Sequence, residues 1–169
     1  IPIVFHDHYG RIEVDPAIPP WFRIGHRFIG HYVGVHEELT AWARRAGMAA
    51  ERTSTIPNAI DLSRVMDARP HDLRRELSLG EDIAIAVLAA SFKHEKGIDM
   101  VIEAVARSQC RGRLHLAIAG GGTETEFAAA CRELVRRHQL ERDVSMLGAR
   151  SDIANVLRGA DIGLLGSYR

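Results

Sequence analysis

The sequence contains no apolar run approaching the roughly 20 residues that a membrane-spanning helix needs. No secretory signal pattern is visible at its start. Only two cysteines occur among 169 residues, Cys110 and Cys131. Both lie in or beside helix-period stretches. They read as small buried hydrophobes of a reducing compartment, not as a disulfide framework. Neither charge is in excess, since 22 basic side chains balance 22 acidic ones. That balance argues against wrapping nucleic acid as the main task. Internal repeats and low-complexity tracts are absent, as are a Gly-x-Ser-x-Gly elbow and a Walker lysine. What is present is a globular composition, 46% hydrophobic, which supplies a core.

The most informative stretch runs from Ile83 to Gly97. Its unbroken apolar opening reads as a strand buried on both faces, the kind found in parallel sheets. A polar loop ending Glu95-Lys96-Gly97 follows, then a helical period with Ile98, Val101, Ile102 and Val105 on one face. Strand, loop and helix make the first half of a βαβ unit, whose ligands gather at the carboxyl ends of the strands. Ser91, Lys93 and Lys96 fall in that loop. Two lysines beside a helix start suit an anionic ligand. A solvated loop carrying two lysines is the plain alternative.

Before this stretch, 1–5 is a short strand candidate, running into the polar cluster His6-Asp7-His8-Tyr9-Gly10. His6 and His8 face the same way if the chain is extended. They could begin a metal site, but no third ligand is evident nearby. A ligand-contacting or an ordinary loop histidine are the other readings. Prolines 16, 19 and 20 exclude regular structure over 11–27. A second strand is expected at 28–35. A helix should open at His36-Glu37-Glu38, bury Leu39, Trp42, Ala43 and Ala46, and end at Gly47. Ser54-Thr55-Ile56 is a short strand and 57–61 a turn. The mixed stretch 62–80 reads as a connector, and a domain boundary is expected near Pro57.

After Ile83 the alternation is regular. Strands are expected at 114–119, 144–147 and 161–165, with helices between them. The helix after Gly120-Gly121-Gly122 buries Phe127, Cys131, Leu134 and Val135, and Ser151 or Asp152 caps the next one. This order implies a doubly wound parallel sheet with right-handed crossovers. The glycine triplet invites a dinucleotide reading, yet Thr125 stands where the fingerprint needs its third glycine. NAD binding is therefore a runner-up.

Five segments resemble a known family in its own order. Ile56-Pro57-Asn58-Ala59-Ile60-Asp61 is similar to the Ile-Pro-Asn-Gly-Ile-Asp turn of the large retaining glycosyltransferase family with the GT-B fold, the group 1 or family 4 type. Ala90 to Gly97, with the helix from Ile98 to Ala104, resembles that family's Gly-Arg-Leu-x-x-x-Lys-Gly segment. Ala119 to Gly122 resembles Val-Gly-x-Gly. Val144 to Gly148, then Arg150 and Asp152, resembles Val-x-Phe-x-Gly-x-x-x-Asp-Val. Ala160 to Ser167 resembles Ala-Asp-Ile-Phe-Val-x-Pro-Ser.

The resemblance implies two Rossmann-like domains with an active site in the cleft between them. Residues 1–57 would close an acceptor-binding domain, and 58–169 would open the nucleotide-sugar domain. The implied reaction moves a sugar from a nucleoside diphosphate sugar to a saccharide or lipid-linked acceptor, with retention. His8 and Lys96 would be catalytic. Ser91, Lys93, Gly97, Gly120, Gly122, Arg150 and Asp152 would receive the donor. No metal or cofactor is implied, and no Asp-x-Asp pair is present. The setting would be cytoplasmic, with peripheral contact to a membrane left open. Two departures matter: Ser91 replaces the family's phosphate-loop arginine, and Ala59 replaces a glycine. The missing arginine supports a non-catalytic nucleotide-sugar-binding homologue as the alternative. The chain lacks an initiator Met and stops before the family's Glu-x7-Glu motif. It is thus expected to be an inactive fragment of a longer enzyme.

Overall fold

Short apolar runs separated by amphipathic segments fold here as two distinct parallel sheets. The computed structural model describes residues 2–8 and 17–168 and, of Arg64, the backbone alone. The sequence readings on Tyr9, Gly10 and 11–16 lie outside the described residues. The chain divides into two compact units, Ile1–Ile60 and Asp61–Arg169.

The first unit holds a sheet of three parallel strands, β1 (Val4–Asp7), β2 (His31–Gly34) and β3 (Thr53–Thr55), in that order. β1 lies later than the expected 1–5, so His6 and Asp7 are strand residues. The expectation that prolines keep 11–27 irregular is overturned at 20–25, where helix α1 (Pro20–Gly25) forms. Pro19 is its N-cap and Pro20 its first residue, the place where a missing N–H costs nothing. Phe28 belongs to a 3-10 turn and not to the second strand. Helix α2 (Glu37–Arg45) begins with two glutamates at the positive end of its dipole. It ends in a Schellman motif, with Gly47 N–H donating to Arg44 O at 3.0 Å and Met48 N–H to Ala43 O at 3.1 Å. Phe22, Tyr32, Trp42, Ala43 and Met48 form the core, onto which Phe5 stacks.

The second unit holds a four-stranded parallel sheet: β4 (Ala84–Ala89), β5 (Leu114–Ala119), β6 (Val144–Gly148) and β7 (Ile162–Leu164). The spatial order is β6-β5-β4-β7. The chain therefore steps outward from β4 to β6, then returns to the other side of β4. This reversal is the topological switch point of a doubly wound sheet. Helices α5 (Ile98–Arg107) and α6 (Glu126–Arg137) pack on one face with Ala86, Leu88, Leu116 and Ile118. The other face of β4 presents Ile85 and Val87 to Leu73 and Val156. Both faces of β4 are buried, as its continuous apolar run requires. Val156 comes from α7 (Ile153–Arg158).

The stretch 62–80 is more than a connector. It contains two short helices, α3 (Ser63–Met66) and α4 (Leu73–Glu76), and Leu73 is fully buried. Burying one leucine contributes roughly 1.5–3 kcal/mol, so this segment belongs to the unit it precedes. Cys131 is buried as read, with its thiol pushed up to about 11 by that burial. Cys110 is exposed, against expectation, because it lies in the turn after α5 and not on the buried helix face.

Candidate active site

The carboxyl ends of β4, β5 and β6 are joined beyond the strands by a continuing ladder. Ala90 N–H donates to Ala119 O at 3.0 Å, Phe92 N–H to Gly121 O at 2.8 Å, and Gly120 N–H to Gly148 O at 2.8 Å. Gly120 lies so close to Ala90 that a Cβ there would overlap the Ala90 carbonyl. Phe92 is buried in the core below and anchors the β4–α5 loop. An apolar residue inside a polar loop was the available signal for this anchor, and the sequence reading passed over it.

Ser91 is half-buried and Lys93 exposed in that loop. Lys96 ends the 3-10 turn His94–Lys96 and is half-buried. Neither lysine ammonium has a carboxylate or hydrogen-bond partner among the described residues. Gly97 is the N-cap of α5 in the left-handed region, φ 58°. The first N–H groups of α5 have no intrahelical acceptors, as at any helix start. Two cations and a ten-residue helix's positive end thus occupy the switch-point edge.

The segment after β7 crosses this loop. Tyr168 N–H donates to Glu95 O at 3.0 Å, and its ring stacks on His94 with centroids 5.4 Å apart. Neither His94 nor Tyr168 had a signature in the sequence. A groove of about 830 Å³ runs between α5 and α6, lined by Met100, Phe127, Leu134, His94 and Tyr168. None of the expected site residues lines it. Size alone therefore does not locate the site.

Gly122 takes a positive φ of 83° beside Phe92. Thr125, which displaced the third fingerprint glycine, is the N-cap of α6. Its hydroxyl accepts from Ala128 N–H at 3.2 Å and donates to Gly122 O at 2.8 Å. The departure from the dinucleotide pattern is thus a helix cap.

Arg150 and Asp152 follow β6 and hold each other. Arg150 Nε donates to Asp152 Oδ1 at 2.8 Å, and Nη2 to Oδ2 at 3.0 Å. Nη1 reaches Glu76 Oε1 at 2.9 Å. These hydrogen bonds, to Asp152 and then to Glu76, raise the Arg150 pKa further above its ordinary value. The Arg150 hydrogen bond holds Asp152 below its ordinary value. Asp152 is the N-cap residue of α7, but its side chain caps nothing. The carboxylate expected to cap the helix is taken by Arg150 instead.

In the first unit, β1 directs alternate side chains to opposite faces. Asp7 Oδ2 accepts from the buried Tyr32 hydroxyl at 2.8 Å. Burial, then this bond, pushes the Tyr32 pKa well above the ordinary range. His6 and His8 are exposed, with ring centroids 4.1 Å apart. No group of three or more His, Cys, Asp or Glu side chains among the described residues could hold a metal ion.

Parallel sheets wound in this order, with tight loops at their carboxyl edge, define the Rossmann-like α/β class. The chain belongs to the glycosyl transferases group 1 family, whose model matches residues 71–169. Its fold is of the GT-B type. HepE of Anabaena, solved with UDP and glucose, superposes with a TM-score of 0.74 at 21% identity, covering 98% of this chain and 46% of HepE. A glycosyltransferase from Rickettsia africae gives 0.76 at 17% identity, with 97% and 45% covered. Sucrose-phosphate synthase from Thermosynechococcus elongatus gives 0.67 at 20%, with 98% and 44% covered. At these identities the likeness is one of fold. The chain spans about half the length of these structures. No curated protein matches it.

Proposed function

We propose that the protein carrying this chain transfers a glycosyl group from a nucleoside diphosphate sugar to an acceptor, with retention of configuration. The observation that carries this reading is the pair of unpartnered lysines, Lys93 and Lys96, beside the α5 N-terminus. When the bond from the anomeric carbon to the diphosphate breaks, its electrons leave with the diphosphate. Negative charge grows there while the acceptor oxygen bonds to the sugar from the same face, and the acceptor's hydroxyl proton passes to the departing diphosphate oxygen. Fixed cations and a helix N-terminus stabilise such charge without a metal. Lys96 takes this role, and Lys93 stands in for the arginine that Ser91 replaces. Gly97, Gly120 and Gly122 let backbone approach the donor. Arg150, held by Asp152 and Glu76, orders the β6–α7 loop. His8 contacts the donor sugar. No cofactor enters the reaction.

Membership in the group 1 family supports this reading, and the UDP in HepE makes uridine nucleotides the first to try. The acceptor is a saccharide or a lipid-linked saccharide. No helix among the described residues is long and apolar enough to cross a membrane. A cytoplasmic setting, with peripheral contact to a membrane, accommodates either acceptor. The Ser91 departure favours a second reading, a homologue that binds donor without turnover.

Calorimetry with UDP, GDP, ADP and NAD⁺ tests the proposal. Binding of at least one diphosphate in preference to NAD⁺ is expected. Binding of NAD⁺ alone overturns it. Diphosphate binding with no transfer to any acceptor selects the second reading.

A further inference from the structure

Resting on the donor-site reading above, we propose that His71 and Glu76 are positioning residues for the donor-receiving loop between β6 and α7. They lie in the segment before the second sheet. They hold the loop through a closed ring of four polar side chains: Arg150, Asp152, His71 and Glu76.

The ring is drawn by its contacts. Arg150 grips Asp152 with two hydrogen bonds of 2.8 and 3.0 Å. Its remaining amino group reaches both Glu76 oxygens at 2.9 and 3.2 Å. Glu76 Oε2 meets His71 Nε2. His71 Nδ1 stands 3.7 Å from Asp152 Oδ2, which closes the circuit. His71 Nε2 also lies 3.4 Å from Arg150 Nη2. One nitrogen cannot donate to a carboxylate and accept from a guanidinium together. Arginine keeps its proton and the carboxylate is nearer, so the Nε2 proton points to Glu76.

Both imidazole nitrogens therefore face carboxylate oxygens. Glu76 is held below its ordinary value, first by the His71 hydrogen bond and then by Arg150.

The ring is also built into the backbone. His71 N–H donates to Asn155 O at 3.0 Å, and Arg69 N–H to Asn155 Oδ1 at 2.9 Å. Gly159 packs against the His71 carbonyl with no room for a Cβ. His71 is thus pinned along α7, while its ring reaches the loop before that helix. Asp152 makes no side-chain cap to α7, and its carboxylate holds Arg150 instead. His71, Glu76 and Asp152 side chains are about one-third exposed, at 33%, 34% and 33%. Water therefore reaches the ring, and its strength is that of a partly screened ion-pair network.

The test uses the full-length protein, its His71→Gln and Glu76→Gln variants, and steady-state kinetics with a nucleoside diphosphate sugar. Both variants are expected to raise the donor KM roughly two- to fivefold, the range a partly exposed ion pair supports. Maximal turnover and the acceptor KM should hold. Glu76→Gln leaves the backbone ties of residue 71 intact and carries the test if His71→Gln unfolds. An unchanged donor KM in the variants overturns the inference while the donor-site reading stands. So does a loss of turnover and affinity in step with a lowered melting temperature. A parent that neither binds nor turns over any nucleoside diphosphate sugar overturns the donor-site reading, and the positioning role with it.

Discussion

Gly97 and Gly166 are in backbone contact: a Cβ built on Gly97 would overlap the Gly166 carbonyl oxygen. This contact seats the segment after β7 on the turn that carries Lys96. It joins the two strands that flank the switch point. Gly97 is doubly constrained, since its φ of 58° also disfavours any side chain. Gly97→Ala should destabilise the second unit by about 2–3 kcal/mol, from left-handed strain and a displaced backbone together. Urea unfolding would measure it. An unchanged midpoint would show that the two loops are not in contact.

Leu73 gives a second test, of where the second unit begins. It is fully buried against Ile85, Val87 and Val156. Leu73→Ala should cost about 2–5 kcal/mol, as for other buried leucines. A cost below about 0.5 kcal/mol, the range of surface substitutions, would return 62–80 to the status of a loose connector.

His115 sets an acid limit on stability. It is buried in β5, with Nδ1–H donating to Arg142 O at 3.0 Å and Nε2 accepting from Ser145 Oγ at 2.9 Å. Burial lowers its pKa, against a smaller opposing effect of the Arg142 carbonyl. The unfolded chain then takes up a proton near pH 6.5 that the fold refuses. Stability from this group is complete above about pH 6.5 and declines as pH falls below it. His115→Asn should flatten that decline in denaturant unfolding between about pH 7.5 and pH 5. An equal slope in both proteins would assign the acid sensitivity elsewhere.

Transfer should survive removal of metals. Stabilisation of the leaving diphosphate is assigned to Lys96, Lys93 and the α5 N-terminus, which need no divalent ion. Activity should be unchanged in excess chelator. Loss on chelation with recovery on adding manganese or magnesium would contradict that assignment.

The second sheet was legible because each strand is a continuous apolar run and each helix is amphipathic. β4 and α5 fall close to where Ile83 to Val105 placed them. The glycine turns and the family's five segments then direct the proposed donor site to the carboxyl edge of that sheet. The misreadings have local causes. Prolines exclude a helix interior, but Pro19 stands at the N-cap position of α1 and Pro20 is its first residue, where proline fits. Leu73 was lost in a charged stretch, since a four-residue helix is too short to show a period. Asp152 has the composition of a cap, but a neighbouring arginine two residues away competes for it. The ring through His71 and Glu76 had no sequence signature, because its partners lie 74 and 79 positions from Arg150.

Donor affinity at Lys96 is the most direct measurement. Lys96 is half-buried, unpaired among the described residues and outside the hydrophobic core, so in the proposed reading its ammonium serves the ligand and not the fold. Titration of the full-length protein and its Lys96→Ala variant with UDP, or with whichever diphosphate the parent binds, compares them directly. Affinity should fall roughly tenfold or more, the scale of one charge-assisted hydrogen bond to phosphate, with the melting temperature unchanged. Equal diphosphate affinity in the two proteins, at equal stability, would contradict the placement of the diphosphate at this edge.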